Sequence, residues 1–254
     1  MTHSASKLLP AVDEKTAASE VVSVTPTPVP ESVRYQIFLY LGVLITLLAF
    51  GAPHGGLIEI PVSFLLKNKL HLEPRELAYF RLLSSIPVYL SFVFGFIRDT
   101  WNPLGMRDRG YMLLFGSLSS ILYLVFALTP VSYAGLLVAM VLLTTSFLFV
   151  SSAQNGLASV LGQQHLMSGQ VSAVWNIFAS LPAIAALLAG GALSDVLEGE
   201  NADRAVPVLF LCGTLVMAAV AVYSAWRPQS VFDNIANELG PTAQPWNDLK
   251  RLAK

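Results

Sequence analysis

Residues 87–111, PVYLSFVFGFIRDTWNPLGMRDRGY, join the end of one long apolar segment to the start of another through a short loop dense in charge. Arg98, Asp99, Arg107, Asp108 and Arg109 are too costly to leave in hydrocarbon. The loop therefore lies where water begins, and the two segments form a hairpin at a bilayer surface.

Composition agrees with that reading. Of 254 residues, 54% are hydrophobic and 12% charged, whereas a soluble domain carries about 25% charge. The expected fold is an all-α membrane protein with six transmembrane helices, because the unit that crosses a hydrocarbon core of roughly 30 Å is a run of about 20 apolar residues. The spans are expected at 35–66, 76–97, 111–129, 133–155, 171–192 and 206–226. The first is overlong, about 48 Å at the helical rise. Its middle reads GAPHGG, residues 51–56, which predicts a kink or a partly unwound stretch.

The flanks are polar. Residues 1–34, with Pro26, Pro28 and Pro30, are expected to be a disordered cytoplasmic tail without a cleaved signal sequence. The transmembrane domain occupies 35–226, and 227–254 form a second cytoplasmic tail or the start of a linker. With the N-terminus inside, ten Lys and Arg residues fall on inner segments and four (Lys67, Lys69, Arg75, Arg204) on outer loops. That asymmetry predicts cytoplasmic N- and C-termini in a plasma (inner) membrane. Arg81, near the outer end of the second span, is read as snorkelling to the interface.

Several functions are excluded by what the chain lacks. A net charge of -1 without Lys/Arg runs offers no nucleic-acid surface. The lone Cys212 can form no internal disulfide. No phosphate-cradling loop, H-E-x-x-H motif or Cys/His cluster is present, so no enzyme activity, cofactor or metal is expected.

Candidate substrate-binding residues follow from irregular or polar positions inside the spans. A Gly/Pro-interrupted span points to a transporter site, because unwound backbone is tolerated only where it lines a cavity. This singles out His54, Gly55 and Glu59. Continued as a helix, His54 and Glu59 stand about 140° apart and do not share a face. Either they line a cavity, or Glu59 reaches the interface while His54 serves broken backbone. On the fourth span Thr144, Ser151 and Asn155 share one face with Gln154 beside it, which makes Gln154 and Asn155 candidates, and Asn176 is a weaker candidate on the fifth. Ala179, Ala183, Ala186 and Gly190 form a stripe suited to close helix packing. Asp99 opposes the dipole at the end of its own helix. It needs a partner, either a neighbouring helix N-terminus or one of Arg98, Arg107 and Arg109, while Asp108 is placed in the solvated loop.

The spacing of Pro87, Gly95 and Asp99 with the return Gly105-x-Arg107-x-Arg109-x-Tyr111 resembles the loop between helices 2 and 3 of the major facilitator superfamily. The closer resemblance is to the branch of folate-biopterin transporters, muropeptide permeases and acetyl-CoA transporters. In that branch a lysine stands at the position of Ser91, a tryptophan at Val88, and aspartates at Asn155 and Ser159 in the stretch SAQNGLAS, residues 152–159. Gly190-Gly191 followed by Asp195 suits the end of a fifth helix in the superfamily. The resemblance implies one six-helix half, built as a 3+3 repeat, of a transporter that moves a small organic solute by alternating access. It also implies a gating loop of Gly95, Arg98, Asp99, Arg107 and Arg109, and a homodimer or a second six-helix half as partner. The altered positions Ser91, Asn155 and Ser159 motivate an alternative: a non-transporting membrane protein that uses the bundle to bind a partner or assist assembly.

Overall fold

The computed structural model describes residues 30–197, 202–228 and 231–232, and among these every regular element is helical. Most of both expected tails, 1–29 and 233–254, lies outside the described residues. Helix α1, Glu31–Gly51, starts directly after Pro30, with Glu31 in the first turn where a carboxylate complements the helix dipole. It stops at Ala52, whose extended backbone (ψ 126°) is the conformation favoured before a proline, here Pro53. The chain becomes helical again as α2, Glu59–Phe64, continued by a π-helical turn, Leu65–Lys69. The interruption expected at 51–56 is therefore present as an unwound stretch between two helices.

The second crossing differs from the single helix expected over 76–97. It consists of α3 (Pro74–Ser84), α4 (Ile86–Tyr89) and α5 (Ser91–Thr100), jointed at Ser85 and Leu90. Pro87 is the physical cause, since it has no N–H to return to Leu83 and its ring crowds that carbonyl. The start of α3 is sharply defined by Pro74 at its first position and a reciprocal Glu73–Glu76 capping box. Together α3–α5 cover residues 74–100, about 40 Å of helix.

Four long helices follow: α6 (Asp108–Leu128), α7 (Tyr133–Gln164), α8 (Ser168–Leu197) and α9 (Ala202–Ala225). With α1 they make five helices long and apolar enough to cross a membrane, and α3–α5 supply a sixth, segmented crossing. The chain is an all-α membrane protein.

The packing has an internal symmetry. The first crossing packs on α8 and the second on α7, while α6 packs on both α9 and α7 and α1 packs on α9. Exchanging the first three crossings for the last three maps these principal pairings onto one another, as two three-helix repeats require. Coverage is uneven. Only 17% of the most apolar window of α8 is buried, against 33–44% in the other four long helices. Its uncovered side carries Ile177, Leu181, Ile184 and Leu188.

Candidate functional site

Two places in the bundle concentrate polar chemistry: the break in the first crossing, and the hairpin end, where Arg98 of α5 reaches α7 and Arg109 of α6 reaches the end of α9.

The break is built from residues that cannot continue a helix. Gly55 has φ +78°, a left-handed conformation that costs glycine little. A Cβ on Gly56 would stand 2.2 Å from the Ala52 carbonyl oxygen, so no larger residue fits. Ending a helix inside a membrane leaves carbonyls and amides without partners, and several of them are met by specific groups. The Leu57 N–H donates to the Phe50 carbonyl at 3.2 Å, and the Tyr123 hydroxyl of α6 donates to the Gly51 carbonyl at 3.2 Å. The Gly55 N–H donates to the Glu59 carboxylate, which also places a negative charge at the start of α2.

This arrangement brings His54 and Glu59 together. The sequence reading separated them by continuing a helix through residues that are unwound, and the structure corrects it: both line one cavity with Val62, Ser63, Leu66, Phe80, Arg81, Ser84 and Met140. The cavity measures about 20 Å³, room for about one water molecule. His54 Nε2 lies 3.4 Å from the Ser84 carbonyl, and Arg81 Nη2 donates to Ser63 Oγ at 3.2 Å. Imidazole, carboxylate, guanidinium and hydroxyl thus converge beside unwound backbone, around a space the size of one water molecule. Arg81 is a member that snorkelling had accounted for away from any site. Its signal was an ionisable group within a span.

The remaining predicted substrate residues are elsewhere. Gln154 lies fourteen residues beyond Met140 on α7, about 21 Å along the axis. It is 1% exposed with its Nε2 unpaired. Asn155 and Asn176 are exposed on α7 and α8. Of the small-residue stripe on α8, Ala186 and Gly190 are buried, and a Cβ on Gly190 would stand 2.5 Å from the Leu57 carbonyl oxygen. The break therefore rests directly on a glycine of α8.

At the hairpin end Arg98 is the hub. Its Nη1 donates to the Ser152 carbonyl of α7 at 2.9 Å, its Nη2 and Nε reach Asp99 Oδ1 at 2.6 and 3.0 Å, and Asp108 lies 3.7 Å away. The partner that Asp99 required is thus its chain neighbour. Asp108, expected in solvated loop, is the first residue of α6 and only 24% exposed, because α6 begins earlier than hydropathy indicated. Gly156 lies beneath the guanidinium, and Gly95 faces α7 with Ser152 Oγ 4.0 Å from its would-be Cβ. The Tyr111 hydroxyl lies 2.7 Å from the Trp101 carbonyl and 3.0 Å from that of Ile97, closing the end of α5.

Arg107 and Arg109 do not join that hub by hydrogen bonds. Arg107 takes a left-handed backbone (φ 50°) and its N–H donates to Asn102 Oδ1 at 2.7 Å. Arg109 instead donates to the Ser224 and Ala225 carbonyls at the end of α9, at 3.2 and 2.9 Å. Among the described residues no group of three or more His, Cys, Asp or Glu side chains is placed to hold a metal ion.

Compared with known proteins, residues 54–234 match the family model described as the BT1 family. No curated protein and no solved structure matches the chain.

Proposed function

Because the chain belongs to the BT1 family, a family of membrane transporters of the major-facilitator type, we propose that it forms one six-helix half of a transporter that moves a small organic solute by alternating access. The observation that carries this reading is the unwound stretch of the first crossing, at which His54, Glu59 and Arg81 meet. Transporters place solute sites at such interruptions, since backbone freed from a helix can bond a ligand.

The second half is a further copy of this chain or another six-helix bundle. Its docking face includes α8, the least covered span, and polar positions exposed on membrane-spanning helices, Ser91, Asn155, Ser159 and Asn176. Polar side chains facing lipid are disfavoured, whereas the same groups beside a water-filled cleft are satisfied. The test is uptake of labelled folate and biopterin by the purified chain reconstituted in liposomes over a range of protein densities. Saturable uptake that rises more steeply than protein density supports paired halves. Uptake by a strictly monomeric chain overturns the half-transporter reading. Absence of uptake by verified dimers favours the partner-binding alternative, which Ser91, Asn155 and Ser159 support by lacking the charges of related transporters.

The hairpin end and both termini face the cytoplasm of a plasma (inner) membrane in this proposal, on the basis of the Lys/Arg asymmetry. In a Cys212→Ser chain, Lys67→Cys is expected to react with an impermeant thiol reagent in intact cells, and Met106→Cys only after permeabilisation. The reverse pattern inverts the topology.

A further inference from the structure

The chain beyond α9 was expected to be polar tail, yet its first apolar pair is buried: Val231 is 1% and Phe232 8% exposed. The Val231 and Phe232 N–H groups both donate to the Pro228 carbonyl, at 3.1 and 3.3 Å, which holds the pair close to the end of α9. There Phe232 meets the ring of Tyr40 edge-on at 5.5 Å, and Tyr40 stacks on Tyr223 at 5.1 Å. The Arg109 guanidinium lies 5.1 Å from the centre of the Phe232 ring.

We propose that Arg109 is the positioning residue of a clasp, in which the Val231–Phe232 turn is held against the hairpin end of α1 and α9 and is released when the hairpin moves. Arg109 does two things at once. Its planar fork supplies donors to the carbonyls of Ser224 and Ala225, which the end of α9 leaves without helical partners, and its flat face covers Phe232. A lysine could supply the charge but not both contacts.

The clasp touches both candidate moving parts. Arg109 belongs to the same hairpin as the Arg98 hub, and Tyr40 lies on α1, whose other end is the break at the cavity. Docking is also poised to reverse. The hydroxyls of Tyr40 and Tyr223 are buried and lack hydrogen-bond partners, so undocking, by admitting water, satisfies two groups that the docked form leaves unpaired. This inference does not depend on the transported solute, and its test involves no transport.

The experiment uses the full chain in nanodiscs with Cys212→Ser and Val231→Cys, and reads the rate of thiol labelling. Slow labelling is expected in this background, at least tenfold faster labelling with Arg109→Ala, a smaller rise with Arg109→Lys, and no change with Arg107→Ala. Phe232→Leu keeps the carbonyl bonds of Arg109 but removes the ring, and is expected to accelerate labelling without lowering the melting temperature; it decides the matter if Arg109→Ala does not fold. The proposal is overturned if Val231→Cys reacts as fast as the exposed Met106→Cys, if Phe232→Leu leaves the rate unchanged, or if Arg107→Ala raises it as much as Arg109→Ala.

Discussion

Gly190→Ala is expected to dislodge the break in the first crossing and to lower bundle stability, whereas Gly191→Ala, one residue along the same helix, is expected to behave like the parent. The new Cβ at position 190 would stand 2.5 Å from the Leu57 carbonyl oxygen, which is backbone and cannot rotate away, while at 191 nothing lies within 4 Å. Overpacking of this kind costs about 1–3 kcal/mol. The strain has a defined path: Leu57 donates to the Phe50 carbonyl at 3.2 Å, so pushing it away from α8 loosens the contact that closes the unwound stretch. Glu59, two residues on, then loses its register with the Gly55 N–H. Thermal melting in detergent should separate the two variants, and amide hydrogen exchange over residues 50–60 should rise only in Gly190→Ala. Matching exchange in both variants would remove α8 from the support of the cavity.

The second large effect is expected at Arg98. Gly156→Ala leaves every charge in place but sets a Cβ 1.8 Å from Arg98 Nη1, so the guanidinium must leave the Ser152 carbonyl. Arg98→Ala removes the same bond by deleting the cation. A hydrogen bond to a charged group contributes about 1.5–3 kcal/mol, and loss of one made in a single conformational state shifts the balance between states by roughly ten- to a hundredfold. Both variants should therefore increase thiol labelling of Gln154→Cys, a position only 1% exposed in this conformation. Asp99→Ala should do less, because Asp99 is 54% exposed and acts through its neighbour Arg98. Unchanged labelling in both Gly156→Ala and Arg98→Ala, with expression intact, would reduce the hairpin to a topological anchor. Arg98, rather than the Asp99 that sequence spacing favours, makes the hairpin's bond to α7.

The sequence by itself determined the all-helical membrane class, the crossings, the hairpin at 98–109 and the interruption near 51–56, because each depends on properties local to a few residues. Hydropathy over about 20 residues decides whether a segment can lie in hydrocarbon, and Pro53, Gly55 and Gly56 end a helix by their own backbone chemistry. The two joints of the second crossing were legible in principle at Pro87, but a continuous apolar run outweighed it. Only the tertiary structure decided which groups meet. His54 and Glu59 share a cavity because the backbone between them leaves the helical path, which invalidates any angle counted along a helix. Arg81 joins them across an inter-helix contact, and the Tyr123 hydroxyl caps a carbonyl 72 residues away. Arg98 and Arg109 flank one short loop and carry the same charge, yet one bonds α7 across 54 residues and the other α9 across 115 and 116. Spacing along the chain cannot separate such choices, because a guanidinium pairs with whatever carbonyls the packed helix ends leave unbonded within its reach.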